Sequence, residues 1–214
     1  WDIPEAVDAF FPNSQYDGVI IVGIDNASSH GKFSRMDEYS PWPRNTSFPL
    51  PGWDPDVDYS GGKGALYVDF IVDTLKNYID SNFRTLPDRN NTAIAGSSMG
   101  AYISLFAAIL RQDVFSKVGV FSPALWFNDS AMLNFIQDNN IVENLTLYLD
   151  VGTQETSGMR EDFPEIYISG AEKLCVSLRK QRNVTMDYHL WGGNTHSESA
   201  WAKRFPEMLK LFYC

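Results

Sequence analysis

Two cysteines and three histidines are all that this chain offers for thiol or metal chemistry. No C-x-x-C pair occurs and no His/Cys spacing matches a zinc site, so neither a dithiol motif nor a metal centre is expected. Cys175 and Cys214 could pair in an oxidising compartment. They could equally stay apart, since Cys175 lies in a helix-like stretch and Cys214 is the last residue. Basic residues are also scarce: 17 Lys and Arg against 27 Asp and Glu leave a net charge of −10. A nucleic-acid surface needs clustered Lys and Arg, so nucleic acid is not an expected partner. No apolar run approaches the ~20 residues that cross a bilayer, so no membrane span is expected. Internal repeats and low-complexity tracts are missing too. The first residue is Trp1 rather than methionine, from which a leader or a longer upstream segment is expected.

What is present suits one buried domain. Hydrophobic residues make up 44% of 214, enough for a single core and too few for two domains of ordinary size. Strand-like runs recur: "GVIIVGID" (18–25), "TAIAGS" (92–97), "VGVFSPA" (118–124), "LTLYLDVGT" (145–153) and "TMDYHLWGG" (185–193). Helical patterns fall between and after them, over 64–80, 100–112, roughly 129–139, 164–181 and about 197–213. Such alternation predicts an α/β fold with a mainly parallel sheet. The stretch 25–62 is rich in Pro, Gly, Ser and Asp and has no sustained period. A loop of that length at the carboxyl end of a strand is expected to serve function. Six N-x-[ST] sequons, at Asn26, Asn45, Asn90, Asn128, Asn144 and Asn183, exceed the roughly two that chance would supply. The excess favours a secreted glycoprotein. The plainer reading is coincidence in an Asn-rich cytoplasmic chain.

The chemistry is concentrated at "IAGSSMGA" (94–101), where Ser98 is the centre of a G-x-S-x-G pentapeptide. Alone the pattern is weak. A strand before it and a helix after it would make it a nucleophile elbow, with Gly96 and Gly100 lacking the Cβ atoms that would collide at the sharp turn. Helix 100–112 is apolar nearly all round, which predicts a central buried helix. The N–H of Met99 at its start then becomes an oxyanion donor. A serine hydroxyl also needs a base, and the base needs a carboxylate. His30 sits in the polar loop, and His189 lies inside a strand pattern, where a structural role is expected. His196 follows the last strand pattern and precedes the last helix, the position of a base. Two carboxylates compete for the acid. Asp150 is inside its strand, whereas Glu155 follows it on the loop level with Ser98 and His196, and is preferred on that ground. Trp42, Trp53 and Trp126 could line the cleft or belong to the core.

Four segments in order, "IAGSSMGAYISLFAAI", "VFSKVGVFSPALWF", "LYLDVGTQE" and "GGNTHSESAWAKRFPEMLKLF", resemble the putative-esterase branch of the α/β hydrolases. That branch includes feruloyl and acetylxylan esterases, enterobactin-type esterases, S-formylglutathione hydrolases and mycolyltransferases. The resemblance runs over nearly the whole chain. It implies an α/β-hydrolase fold, a serine carboxylesterase working through an acyl-enzyme without a cofactor, and an ester of a sugar, siderophore or small alcohol as substrate. It carries the roles of nucleophile to Ser98, acid to Glu155, base to His196 and oxyanion donor to the Met99 N–H. One departure stands out. Relatives carry about three further strands upstream, the last of which gives a second oxyanion donor. The segment at Trp1 resembles the helix after that strand. A single domain is therefore expected, N-terminally incomplete, with the gap filled by a separate chain of the same precursor. The alternatives are an inactive binding or structural protein on the same fold, and an acyltransferase.

Overall fold

A computed structural model describes residues 1, 3–13, 16, 18–26, 31, 34–52, 54, 60–156 and 160–214. His30 and Trp53 lie outside the described residues. Four parallel strands, β1 (Ala93–Ser97), β2 (Lys117–Phe121), β3 (Leu145–Gln154) and β4 (Val184–Thr195), pair in chain order. The helices are α1 (Ile3–Phe10), α2 (Ser34–Tyr39), α3 (Gly64–Asp69), α4 (Asn77–Asn82), α5 (Met99–Leu110), α6 (Asp129–Asp138), α7 (Phe163–Leu178) and α8 (Glu198–Tyr213). A π-helical stretch, Phe70–Lys76, joins α3 to α4 without a break, so the 64–80 pattern forms one long helical run. None of these helices is long and apolar enough to cross a membrane.

Alternation along the strands divides the core. Val118, Val120, Leu147 and Leu149 project to one face, where they pack with Leu105 and Ile109 of α5, Ile136 of α6 and Leu174 of α7. Phe121 and Tyr148 project to the other and meet Trp201, Phe205 and Met208 of α8, with Trp1, Ile3 and Val7 packed beyond. A Leu, Ile, Phe or Met side chain fully removed from water contributes about 1.5–3 kcal/mol, and α5 buries ten of its twelve residues, Met99, Ile103, Leu105, Phe106 and Ile109 among them. That helix is the central pillar its composition predicts, and it fixes the turn that precedes it.

One expectation changes. "GVIIVGID" is not a strand: residues 18–26 form no regular element and pair with no strand among the described residues, and Ile20, Ile21 and Val22 are exposed. An apolar run becomes a buried strand only when neighbours on both sides complete its hydrogen bonds, and among the described residues none do. Accordingly, among the described residues β1 has a strand on one side only, and Ala93 and Ala95 are exposed along it. Trp42, which the sequence leaves open between cleft and core, packs edge-on against Tyr102, Phe106 and Phe135 and belongs to the core. Cys175 and Cys214 are unpaired, the first buried in α7 and the second exposed at the end of the chain.

Candidate active site

Each strand of the sheet stops one residue short of a polar side chain. Ser98 follows β1, Ser122 follows β2, Glu155 follows β3 and His196 follows β4. Because the strands are parallel and adjacent, these four residues gather at one edge, the carboxyl edge where α/β sheets place ligands. The register shows how. Ser97 lies opposite Phe121, Phe121 opposite Asp150, and Gln154 opposite Thr195. The last pairing exists only because the β3–β4 ladder shifts register between Gly152 and Gln154. A bulge of this kind bends a strand and re-aims its side chains. Here it brings Glu155 and His196 out of neighbouring strands side by side.

Ser98 sits at φ 56°, ψ −122°, a conformation that L side chains rarely adopt. The surroundings hold it there. Its N–H donates to the Phe121 carbonyl at 2.9 Å, and its own carbonyl accepts from Tyr102 and Ala124, each at 3.2 Å. Gly96 explains half of the pentapeptide: a Cβ at Gly96 would fall 2.5 Å from the backbone of Gly100. The expectation for Gly100 needs correction. A Cβ there would meet only a ring carbon of Tyr39 at 4.0 Å, so the close approach spares room at Gly96 alone. Met99 is buried and opens α5, where a first-turn N–H has no carbonyl partner within the helix.

Glu155 is fully buried and His196 nearly so. Glu155 Oε2 lies 2.7 Å from His196 Nδ1. The other oxygen, Oε1, accepts from the Gly152 N–H at 2.6 Å and from the Ser122 hydroxyl at 2.5 Å. A Cβ on Gly152 would meet Asn194 O at 2.2 Å and Glu155 Oε1 at 2.9 Å, so glycine is what lets this backbone N–H reach the carboxylate. The imidazole packs between the rings of Tyr167 and Trp201, at centroid distances of 4.6 and 4.9 Å. The Tyr167 hydroxyl is 3.5 Å from His196 Nε2. Burial pushes the Tyr167 phenol up to about 12, against the effect of hydrogen bonding that includes Ser98. Ser98 and the Nε2 edge of His196 thus share one neighbour.

Asp150 is equally buried but is engaged elsewhere. Its Oδ2 accepts from the Tyr148 hydroxyl at 2.9 Å, and its Oδ1 lies 3.4 Å from Nη1 of Arg204. Burial pushes its carboxyl up to about 7, with the Arg204 guanidinium opposing. His189 is partly exposed, 2.9 Å from Asp187 and stacked between Tyr148 and Trp191. Trp126 is buried in the cluster with Met99, Phe163 and Tyr167 that walls the site, stacked on Phe48. Sequence reasoning overlooked Ser122, Tyr167, Trp201 and Arg204. Only Arg204 left a trace, standing among Trp201, Phe205 and Met208 at helical spacing, on the apolar stripe of α8.

A parallel sheet with helices on both faces and polar side chains at its carboxyl edge, one a strained serine at a strand-to-helix turn, defines an α/β-hydrolase fold. The chain belongs to the Esterase family, described as "Putative esterase", whose model matches residues 1–212. It is 22% identical over 212 residues to the Bacillus subtilis protein YbbA, covering 98% of this chain and 79% of that one. Among solved structures it is similar to a siderophore hydrolase, EstA, from Aspergillus nidulans. That match has a TM-score of 0.66 and 16% identity, and covers 98% of this chain and 77% of that one. It is also similar to an IroE-like serine hydrolase from Shewanella oneidensis, with a TM-score of 0.65 and 20% identity, over 83% of this chain and 56% of that one.

Proposed function

We propose that this esterase is a serine carboxylic-ester hydrolase with Ser98 as nucleophile, His196 as base and Glu155 as acid. The observation that carries the reading is the buried 2.7 Å contact between Glu155 and His196, at the same sheet edge as the strained Ser98. Ser98 Oγ attacks the ester carbonyl while His196 Nε2 takes its proton. Glu155 holds Nδ1–H and stabilises the imidazolium. The oxyanion of the tetrahedral intermediate receives the Met99 N–H, aided by the positive end of α5. His196 then gives its proton to the leaving alcohol. The acyl group is released when water, activated by the same imidazole, repeats the sequence. No step calls for a cofactor.

The substrate class is an ester of a sugar, siderophore or small alcohol, in keeping with the siderophore hydrolase to which the chain is similar. Replacing Ser98 by Ala should lower p-nitrophenyl ester hydrolysis by several orders of magnitude while leaving the fold intact. A fluorophosphonate should label Ser98 and no other serine. Unaltered turnover in the variant, or labelling elsewhere, sinks the assignment. Product analysis with a competing alcohol separates hydrolysis from acyl transfer.

The sequons extend the reading to a secreted glycoprotein. Asn90 and Asn144 are exposed. By contrast, Asn128 Nδ2 donates to Pro43 O at 2.9 Å, and Asn183 Nδ2 donates to Ile141 and Val142 O at 2.9 Å each. Glycans are therefore expected on the first pair and not on the second. Glycopeptide mass spectrometry after passage through a eukaryotic secretory route checks this.

A further inference from the structure

Ser122 takes no part in the steps above, yet it is fully buried and sits at φ 44°. Its Oγ accepts from Trp201 Nε1 at 3.0 Å and from Arg204 Nη2 at 2.9 Å, and it lies 2.5 Å from Glu155 Oε1. Indole and guanidinium N–H groups can only donate. A hydroxyl has one proton and two lone pairs. With both lone pairs taken, the proton has one destination, which is Glu155 Oε1. Together with the Gly152 N–H at 2.6 Å, it gives that oxygen two donors and leaves Oε2 turned to His196.

The charge nearby makes this arrangement matter. Arg204 is almost completely buried, and its Nη1 is 3.4 Å from Asp150 and 3.8 Å from Glu155 Oε1. An arginine that closed directly on Glu155 would form a charge-assisted fork and draw the carboxylate away from the imidazole. Ser122 occupies the intervening position, receiving Nη2 and presenting Glu155 with a neutral O–H instead. We propose that Ser122 is a positioning residue, one that sets the Glu155 carboxylate and reserves its charge for the His196 imidazolium. This rests on the Ser98, His196 and Glu155 reading. The other groups around the pair are Tyr167 from α7, Trp201 and Arg204 from α8 and, beyond Arg204, Asp150 of β3 with its partner Tyr148.

Ser122→Gly removes the hydroxyl at a positive φ that glycine adopts without strain. We expect kcat to fall ~10- to 100-fold with KM nearly unchanged, the cost of a misplaced catalytic group. The imidazolium loses its aligned anion, so the acid limb of kcat/KM should move to lower pH. Ser122→Cys, close in shape but a weak donor, should fall between wild type and Gly in both readouts. A wild-type acid limb in both variants overturns the inference. Turnover surviving in Ser98→Ala would instead sink the triad reading, so the two failures are distinguishable.

Discussion

Asp150 and Glu155 lie close together in sequence and are both fully buried, yet their surroundings give them different work. Glu155 has His196 on one oxygen and two neutral donors on the other, whereas Asp150 faces Tyr148 and Arg204. Glu155→Gln leaves the shape intact but spoils the tautomer of His196, and should lower kcat by roughly 10⁴-fold. Asp150→Asn should cost far less in kcat, and its signature is thermodynamic. Burial raises the folded carboxyl to about 7, well above its ordinary range, so over the pH range between the two the folded state holds a proton that the unfolded state has lost. Its stabilising contribution is fully present below the unfolded pKa and is lost as the pH rises through about 7. Asn cannot titrate. The melting temperature of Asp150→Asn relative to wild type should therefore rise between pH 4 and pH 7.5; a difference that stays constant or falls contradicts the assignment.

The turn between β1 and α5 depends on one glycine more than on the other. Gly96→Ala forces a Cβ to within 2.5 Å of the Gly100 backbone, and neither chain segment is a flexible side chain that could yield. Overpacking of this kind costs about 1–3 kcal/mol, and here it should also displace Ser98. Gly100→Ala has open space and a helical position, so it should be neutral or stabilising by up to about 1 kcal/mol. Denaturant unfolding of the two variants separates them, and equal destabilisation would show that the elbow packs differently. The register shift before Glu155 is the other element-level device. Gly152→Ala should push on both Asn194 and Glu155 and reduce turnover, because the same backbone makes the bulge and the hydrogen bond.

Across the whole molecule the open edge of the sheet at β1 stands out, with no pairing strand among the described residues. The outer edge of β1 carries exposed Ala93 and Ala95, and residues 18–26 form no regular element, with Ile20, Ile21 and Val22 exposed. Open backbone edges of this kind template pairing with another strand. A further strand laid along this edge would complete the hydrogen bonds of β1, and native mass spectrometry of the protein purified from its source should reveal a polypeptide that carries it; a sample that shows none would overturn that expectation.

Much of this was readable from residue order. The alternation of apolar runs and helical patterns predicts the four strands from 93 to 195 and the helices between them, because burial on both sheet faces needs continuous apolar strands and one-faced helices. The same order places Ser98, Glu155 and His196 just beyond strand ends, which is local information. Tertiary structure decided what local pattern cannot carry. "GVIIVGID" reads as a strand by composition, but pairing depends on neighbours that its own residues do not specify. Trp42 reads equally well as cleft or core until Phe106 and Phe135 are packed against it. The bulge that aligns Glu155 with His196, and the node at which Trp201 and Arg204 meet Ser122, join residues distant in sequence. Their geometry is set by the packing of α8 on the sheet, and hydrogen bonds of that range leave no periodicity along the chain to be read.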